Sequence, residues 1–257
     1  MSIASEISRL NTAKADIKTA IQNKGVTIGS SVKINNYPTY INQIQVCDPY
    51  NGHAYVEIGG LKWATMNIGA SSVTDYGQYF QWGDTTGYVA ANVGSSGTTY
   101  AKPFSWADYK FSGGRTSPGD TGQTKYNASD GKTMLDGCDD AARANWGGSW
   151  RMPTTAEFQA LGNAVNTAWT ADYQGSGVAG LVCTDKTDSS KVLFFPAAGY
   201  CLNGSVSNVG DIGYGYYWSS SLRSLQRAYR LLFRNRSAYW GDYGYRYYGF
   251  PVRGVVG

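Results

Sequence analysis

From Tyr55 onward, glycine and serine cut every apolar run short. VEIGGLKWATMNIGA reads as a hairpin turning on Gly59-Gly60, and GLVCT, KVLFFPAAGY and GYGYYWSSS read as further strands closed by small residues. A chain punctuated this way builds short strands joined by turns; it is neither a helical bundle nor a disordered tail. Composition agrees, with 33 Gly and 21 Tyr in 257 residues and 16% charged side chains, as suits a soluble, loop-rich protein. The length exceeds the usual single-domain size and suits one domain with a small appendage.

Helical spacing enters this region only in DDAARANWGGSWRMPTTAEFQALGNAV. It predicts a helix over Asp139–Asn145, with Asp139 and Asp140 at the positive end of the dipole. A second helix opens at Pro153-Thr154-Thr155, with Glu157 as cap partner and Phe158, Leu161 and Val165 on one face. The tract 83–135 is polar and irregular, but its scattered aromatics (Tyr88, Tyr100, Phe104, Trp106, Tyr109, Phe111, Tyr126) predict that it packs onto the domain. The expected class is α+β.

The appendage is the N-terminus. Over residues 2–24, Ile3, Ile7, Leu10, Ile17 and Ile21 recur at alternating four- and three-residue steps, with Lys14 in the missing seam position. Ser2, Ser5 and Glu6 offer capping and Gly25 ends the helix. About three heptads are marginal alone. The seam therefore predicts an oligomerising coiled coil, the alternative being a helix packed on its own domain. Isoleucine at a and d favours more than two strands, so a homo-oligomer is expected, with a trimer favoured. Val26/Ile28 and Val32/Ile34 alternate like short strands, and Tyr37-Pro38 opens a turn of helix that places Tyr40, Ile41 and Ile44 on one side. The boundary falls near 45–48, giving an N-terminal module over 1–46 and a larger domain over 47–257.

Residues 222–253 (LRSLQRAYRLLFRNRSAYWGDYGYRYYGFPVR) carry the most unusual composition. Seven of the eleven arginines are here, with no lysine and a single acid, Asp242. Tyr229, Tyr239, Tyr243, Tyr245, Tyr247, Tyr248 and Trp240 are set among Gly241, Gly244 and Gly249. Tyr and Trp offer stiff contact area at low rotamer cost, and small residues let the backbone adapt, so this is the composition of a recognition surface. The alternative is an aromatic sheet core with arginines snorkelling at its margin. The stretch is +6 within a chain of net +4, so the positive charge is local; without lysines to track phosphates, nucleic acid is not an expected partner.

Several chemistries lack material. Cys47, Cys138, Cys183 and Cys201 form no CxxC pair, permit three disulfide connectivities, and are expected as free buried thiols. The one histidine, His53, sits in the turn DPYNGH, too isolated for a zinc site or a Ser-His or Cys-His nucleophile. No cofactor and no metal are expected. No apolar run approaches about 18 residues, so no membrane insertion is expected. MSIASEISRLNTAKADIK lacks the apolar core of a secretory signal and the cysteine box of a lipoprotein, so export by the usual route is not expected.

In order along the chain, GLKWATMNIGA, GQYFQWGD, DDAARANWGGSWRMPTTAEF, GLVCT, FFPAAGY, GYYWSSS, AYRLLF and RYYGFPVRGV resemble the C-type-lectin-fold domain related to formylglycine-generating enzymes. Within that group they resemble the variable proteins of diversity-generating retroelements of gut phages and bacteria, over about residues 50–255. The segment 1–45 resembles a small N-terminal module of phage tail proteins. In the variable proteins, a reverse transcriptase mutates adenines, so that AAC and AAT codons become NNY codons. Such codons cannot encode Lys, Glu, Gln, Met or Trp, and between Leu222 and Arg253 only Gln226 and Trp240 belong to that set.

The resemblance implies a C-type lectin fold in which scaffold and variable positions interleave. Trp146, Trp150, Arg151, Pro153, Pro196, Trp218, Ala228, Phe233, Gly249, Val252 and Arg253 are the implied scaffold. The implied ligand-binding set, in a variable region over about 222–250, is Arg223, Leu225, Arg227, Arg230, Leu232, Arg234, Arg236, Tyr239, Asp242, Tyr243, Tyr245, Tyr247, Tyr248 and Phe250. Trp240, outside the reach of adenine mutagenesis, is read with Arg230, Tyr243 and Tyr247 as touching the ligand. The alternation of Arg230 and Leu232 with Tyr229, Leu231 and Phe233 fits a strand with one face exposed. The implied function is a non-enzymatic adhesin of a phage tail, carried on the virion, made in the bacterial cytoplasm and acting at the host surface. It would recognise a host cell-surface protein or glycan and attach to tail proteins through the N-terminal module. A bacterial cell-surface adhesin and a calcium-dependent lectin are the alternatives; formylglycine-type catalysis is not expected.

Overall fold

The computed structural model describes residues 2–22, 28–37, 50–93, 102–118, 122–210, 213–235 and 237–257. They fall into two compact units, Met1–Asp48 and Pro49–Gly257.

The first unit is built on helix α1 (Ile3–Gln22). Ser2 caps it by accepting a hydrogen bond from the Ser5 amide at 3.2 Å, and Glu6 pairs with Arg9 one turn on at 2.6 Å. Of the seam, only Ile21 is buried, in a small cluster with Ile28, Tyr37 and Val32. Ile3, Ile7, Leu10 and Ile17 stand 41–83% exposed in the single chain. The strand expected at Val32 and Ile34 does not form; Ile34–Asn36 is a 3-10 turn in which the Asn36 amide bonds the Lys33 carbonyl at 3.0 Å. Two alternating residues without a partner strand cannot hold an extended ladder, and paired asparagines favour local bonding. The expected cap at Gly25, the strand residue Val26, and the helical turn at Tyr40, Ile41 and Ile44 lie outside the described residues.

The second unit is α+β. Strands β1 (Tyr55–Ile58) and β2 (Leu61–Asn67) form the expected hairpin, with Gly59 and Gly60 at φ 61° and 79°, a region glycine enters without Cβ strain. Helix α2 (Ala141–Trp146) begins one to two residues later than expected, because Asp140 is the N-cap and accepts from the Arg143 amide at 3.0 Å. Asp139 is drawn out of the helix into a 3-10 turn, Gly137–Asp139, where lysines engage its carboxylate. Helix α3 (Thr155–Ala164) starts on a full capping box between Thr154 and Glu157, as PTTAE predicts.

Next come β3 (Val165–Thr170), β4 (Gly180–Asp185) and β5 (Val192–Pro196) as one meander, and the small hairpin β6 (Tyr200–Leu202) and β7 (Ser205–Ser207). Strands β8 (Gly215–Leu222), β9 (Arg227–Arg234) and β10 (Ser237–Tyr245) make a third sheet in the order β10-β9-β8. Finally β11 (Arg253–Val256) pairs with β2, bringing the two ends of the unit into one sheet. Every pairing between these strands is antiparallel.

Within the β8–β10 sheet, β8 is buried on both faces, which explains why it is apolar or small along its whole length. Tyr217, Leu231 and Phe233 enter a core shared with Phe158 and Leu161 of α3 and with Leu181 and Phe195. The alternate residues Tyr216, Trp218 and Ala228 enter a second core with Trp82, Tyr109, Tyr126, Phe250 and Val252. The irregular tract packs as its aromatics predict: Phe104, Trp106, Tyr109, Phe111 and Tyr126 are buried and Tyr88 is half-buried, while Tyr100 lies outside the described residues. Every implied scaffold residue is buried or half-buried.

Two arginines lie inside this framework. Arg253 is fully buried, bonded to Asn67 Oδ1 at 3.0 Å and to the carbonyls of Ala64 and Phe194 at 2.9 Å each. Burial pulls its pKa down to about 10, still charged at neutral pH. Arg246 is equally buried and joins three segments: it bonds the Tyr109 hydroxyl at 2.9 Å and the carbonyls of Lys125, Tyr126 and Leu225 at 3.0, 3.1 and 2.9 Å.

Candidate ligand-recognition surface

The stretch 222–253 folds into β9, β10 and the turns beside them, and pairing decides which side chains emerge. Arg223, Arg234, Tyr239 and Tyr243 are exposed. Leu225, Arg227, Arg230, Leu232, Asp242, Tyr245, Tyr247 and Tyr248 are half-buried, and Arg236 lies outside the described residues. The expected alternation along β9 holds from Arg230 to Phe233, with Leu231 and Phe233 buried and Arg230 and Leu232 half-buried, but not before it: Tyr229, expected inward, is half-buried and Ala228 is buried.

Two expected contacts are corrected. Phe250 is fully buried: it lies 4.3 Å from Trp218 and 5.2 Å from Tyr216 between ring centres, and its backbone pairs with Phe80. Gly249, pressed against Phe104 and Cys201, carries the chain inward just before it. Trp240 is half-buried and packs on the α3 side of the sheet, so close to Gly162 that a methyl group there would come within 2.5 Å of its indole nitrogen. Ala238, two residues earlier, packs against the same core, so alternation along β10 puts the indole on that side; the bulge between Tyr239 and Asp242 re-aims the residues that follow it. The contact of Trp240 is with the scaffold.

The remaining side chains gather into arginine–tyrosine groups. Arg230 lies over Tyr216 and Phe250, 4.7 and 5.0 Å from their ring centres, and its Nε and Nη2 reach Asp242 Oδ2 at 2.9 and 2.8 Å. Cation–π contact and ion pairing thus hold one guanidinium flat against the sheet. Beside it, Tyr248 stacks on Tyr200 at 5.8 Å and meets Tyr247 edge-on at 4.9 Å, and Tyr247 in turn contacts Trp106 at 5.7 Å. Arg223 and Arg227 both lie over Tyr243, at 5.5 and 5.3 Å, flanked by Tyr229 and Tyr245. Arg234 donates to the Tyr239 hydroxyl at 3.0 Å, which holds that phenol below its ordinary pKa.

Sequence reading confined to 222–253 missed Tyr200, Tyr214 and Tyr216, which extend the same aromatic face through stacking of Tyr214 on Tyr216 at 6.0 Å and edge contact of Tyr200 with Tyr216 at 5.4 Å. The two-residue spacing of Tyr214 and Tyr216 in GYGYYW is the signal that both share a strand face.

Elsewhere, titratable groups serve structure. Asp136, Cys138 and Asp139 approach one another as metal ligands would, but ammonium groups already claim the carboxylates. Lys110 reaches Asp139 at 2.7 Å, Lys125 bonds both Asp136 and Asp139, Lys132 bonds Asp136, and the Tyr126 hydroxyl donates to Asp139 at 2.6 Å. Desolvation opposes ionisation of Asp139, yet the bonds from Lys110, Lys125 and Tyr126 outweigh it and depress its pKa. A carboxylate depressed on folding contributes stability above its unfolded pKa, near 4, and loses it as pH falls further. The stability gap between wild type and D139N is therefore expected to be full at pH 7 and to close below about pH 4, by urea denaturation at each pH.

Cys183 and Cys201 are free and buried, in different cores, and burial raises both thiol pKa values; Cys138 is free but exposed, against expectation, because it sits on the solvent side of the 3-10 turn before α2. Cys47 lies outside the described residues. His53 stacks on Trp146 at 4.0 Å in a turn paired with Tyr50, and burial lowers its pKa. No helix among the described residues is long and apolar enough to cross a membrane. Comparison of the chain with protein-family models, with curated proteins and with solved structures finds no match.

Proposed function

We propose that residues 50–257 form a C-type-lectin-fold binding domain whose arginine–tyrosine face recognises a ligand on a bacterial host surface, and that α1 gathers several copies, a trimer foremost. The carrying observation is the residue-by-residue interleaving within 222–253: Ala228, Leu231, Phe233, Arg246 and Arg253 are buried, while Arg223, Arg234, Tyr239 and Tyr243 emerge beside them. That arrangement lets the outer side chains change without touching the core, as a diversified phage-tail adhesin requires. Short antiparallel sheets, two helices and a long packed loop tract support the lectin-fold reading. Arg246 draws that loop tract onto the β9–β10 end of the sheet. Raised thiol pKa values are the opposite of what a cysteine nucleophile needs, so catalysis gains no support.

The test has two arms. Binding of the purified full chain to candidate host cells, read by flow cytometry, is expected to fall about tenfold or more for Y243A or Y247A, with little change in melting temperature for the exposed Tyr243. Removing residues 2–22 is expected to give a monomer by light scattering and to cut apparent cell affinity by about 10²–10⁴ through lost avidity. Uniform codons at 223–248 across a natural population would remove the diversification reading, and neighbouring tail genes separate a virion protein from a bacterial surface adhesin.

A further inference from the structure

The seven arginines of 222–253 are not equivalent, and their partners sort them. Arg246 and Arg253 are fully buried on carbonyls and neutral groups. Arg230 is neutralised by Asp242, the stretch's single acid. Arg234 stands apart at the other end of β9, held by Tyr239. Arg236 lies outside the described residues. That leaves Arg223 and Arg227, and no carboxylate among the described residues pairs with either.

These two are nevertheless held together. The Arg227 carbonyl accepts from the amides of both Arg223 and Ser224 at 2.9 Å, closing the turn between β8 and β9. Their guanidinium groups share the Tyr243 ring, Arg223 also lies over Tyr229 at 5.9 Å, and Arg227 over Tyr245 at 4.7 Å with a 3.2 Å bond to its hydroxyl. These contacts hold both guanidinium groups beside one ring. A hollow of about 270 Å³ lies in the same turn, lined by Ser224, Leu225, Gln226 and Arg227. That lies just below the range of about 300 Å³ and upward for small-ligand pockets, so the hollow adds room beside Arg227 for one small unit without enclosing it. Two guanidiniums beside one ring and without a counter-charge suit an oxyanion, which a planar fork can grip bidentately and a lysine ammonium cannot.

We infer that Arg223 and Arg227, steered by Tyr229, Tyr243 and Tyr245, form the anion-binding subsite of the recognition face, taking a carboxylate or phosphate carried on a sugar unit of a surface polysaccharide. This deepens the proposed function and rests on it for the biological source of the sugar, but the site itself can be tested without a host.

The probe is trigalacturonate, titrated into the full chain by calorimetry, with its methyl ester as uncharged control and glucose 6-phosphate as the phosphate arm. Trigalacturonate is expected to bind, and the ester to bind at least about tenfold more weakly, as loss of charge-assisted bonds implies. R223Q and R227Q should each weaken binding by about tenfold, and R234Q by less than about twofold. R223K and R227K keep the charge but lose the fork, and should recover only part of the loss. Stronger binding of glucose 6-phosphate than of trigalacturonate assigns the site to phosphosugars. Equal losses in R223Q, R227Q and R234Q, equal binding of acid and ester, or no binding of either anion would overturn the subsite. Host-cell binding that depends on Tyr243 but not on Arg223 or Arg227 defeats the subsite alone; anion binding without cell binding defeats the adhesin reading alone.

Discussion

Replacing Arg246 with methionine is expected to cost the folded state on the order of 4 kcal/mol. The guanidinium satisfies three carbonyls and one phenol in a region closed to water. Each orphaned buried acceptor costs about 1–3 kcal/mol. The full sum is not reached, because removing the arginine also removes the cost of desolvating its charge. Lysine should rescue little, since one ammonium cannot span four acceptors with the geometry of a planar fork. The loss has an address as well as a size: hydrogen exchange should rise first in 102–139, where Lys125, Tyr126 and Tyr109 lose their common partner. A change below about 1 kcal/mol in urea denaturation would mean the interior site is more open than its burial implies.

Phe250→Ala is expected to destabilise by about 3–5 kcal/mol, the usual range for deleting a buried phenylalanine. Its ring touches Trp218, Tyr216 and Tyr248, and it also carries the Arg230 guanidinium at 5.0 Å. The cavity would open beneath the recognition face, so affinity should fall as well, through loss of the surface on which Arg230 is laid. Tyr243→Ala should do the reverse: weaken binding while changing stability by less than about 1 kcal/mol, since the ring is exposed. A Phe250→Ala protein of native stability that had lost only binding would return Phe250 to the ligand-contact set. Thermal and denaturant unfolding, run beside a binding assay, separates these outcomes.

How much could be read in advance depended on how local the deciding interaction is. The Thr154–Glu157 capping box and the Gly59-Gly60 hairpin are settled within four residues, and both are plain in the sequence. Arg253 was assigned to the scaffold through motif resemblance, and its three acceptors all lie outside its own neighbourhood. Arg246 illustrates the limit. By composition it is one more arginine in an arginine-rich stretch; what takes it inside is the backbone of Lys125 and Tyr126, more than a hundred residues away. Trp240 was misread for a different reason: it was taken as a contact by its place in an aromatic, arginine-rich stretch, although Ala238 two residues before it shares its face of β10 and packs on the core with α3. The seam of α1 was legible as a pattern, but a pattern alone does not supply the partner that would cover it.

The acceptors of Arg246 have a property that bears on how such a surface could change. Three of the four are main-chain carbonyls, those of Leu225, Lys125 and Tyr126. A carbonyl is the same whatever side chain its residue bears. The loop tract is therefore pinned to the β9–β10 end of the sheet, the proposed recognition face, by contacts that are indifferent to residue identity at Leu225, one of the positions implied to vary. Any residue that keeps the turn leaves the pin in place, so that, if the proposed function holds, variants would alter what the face binds while each inherits the same anchorage.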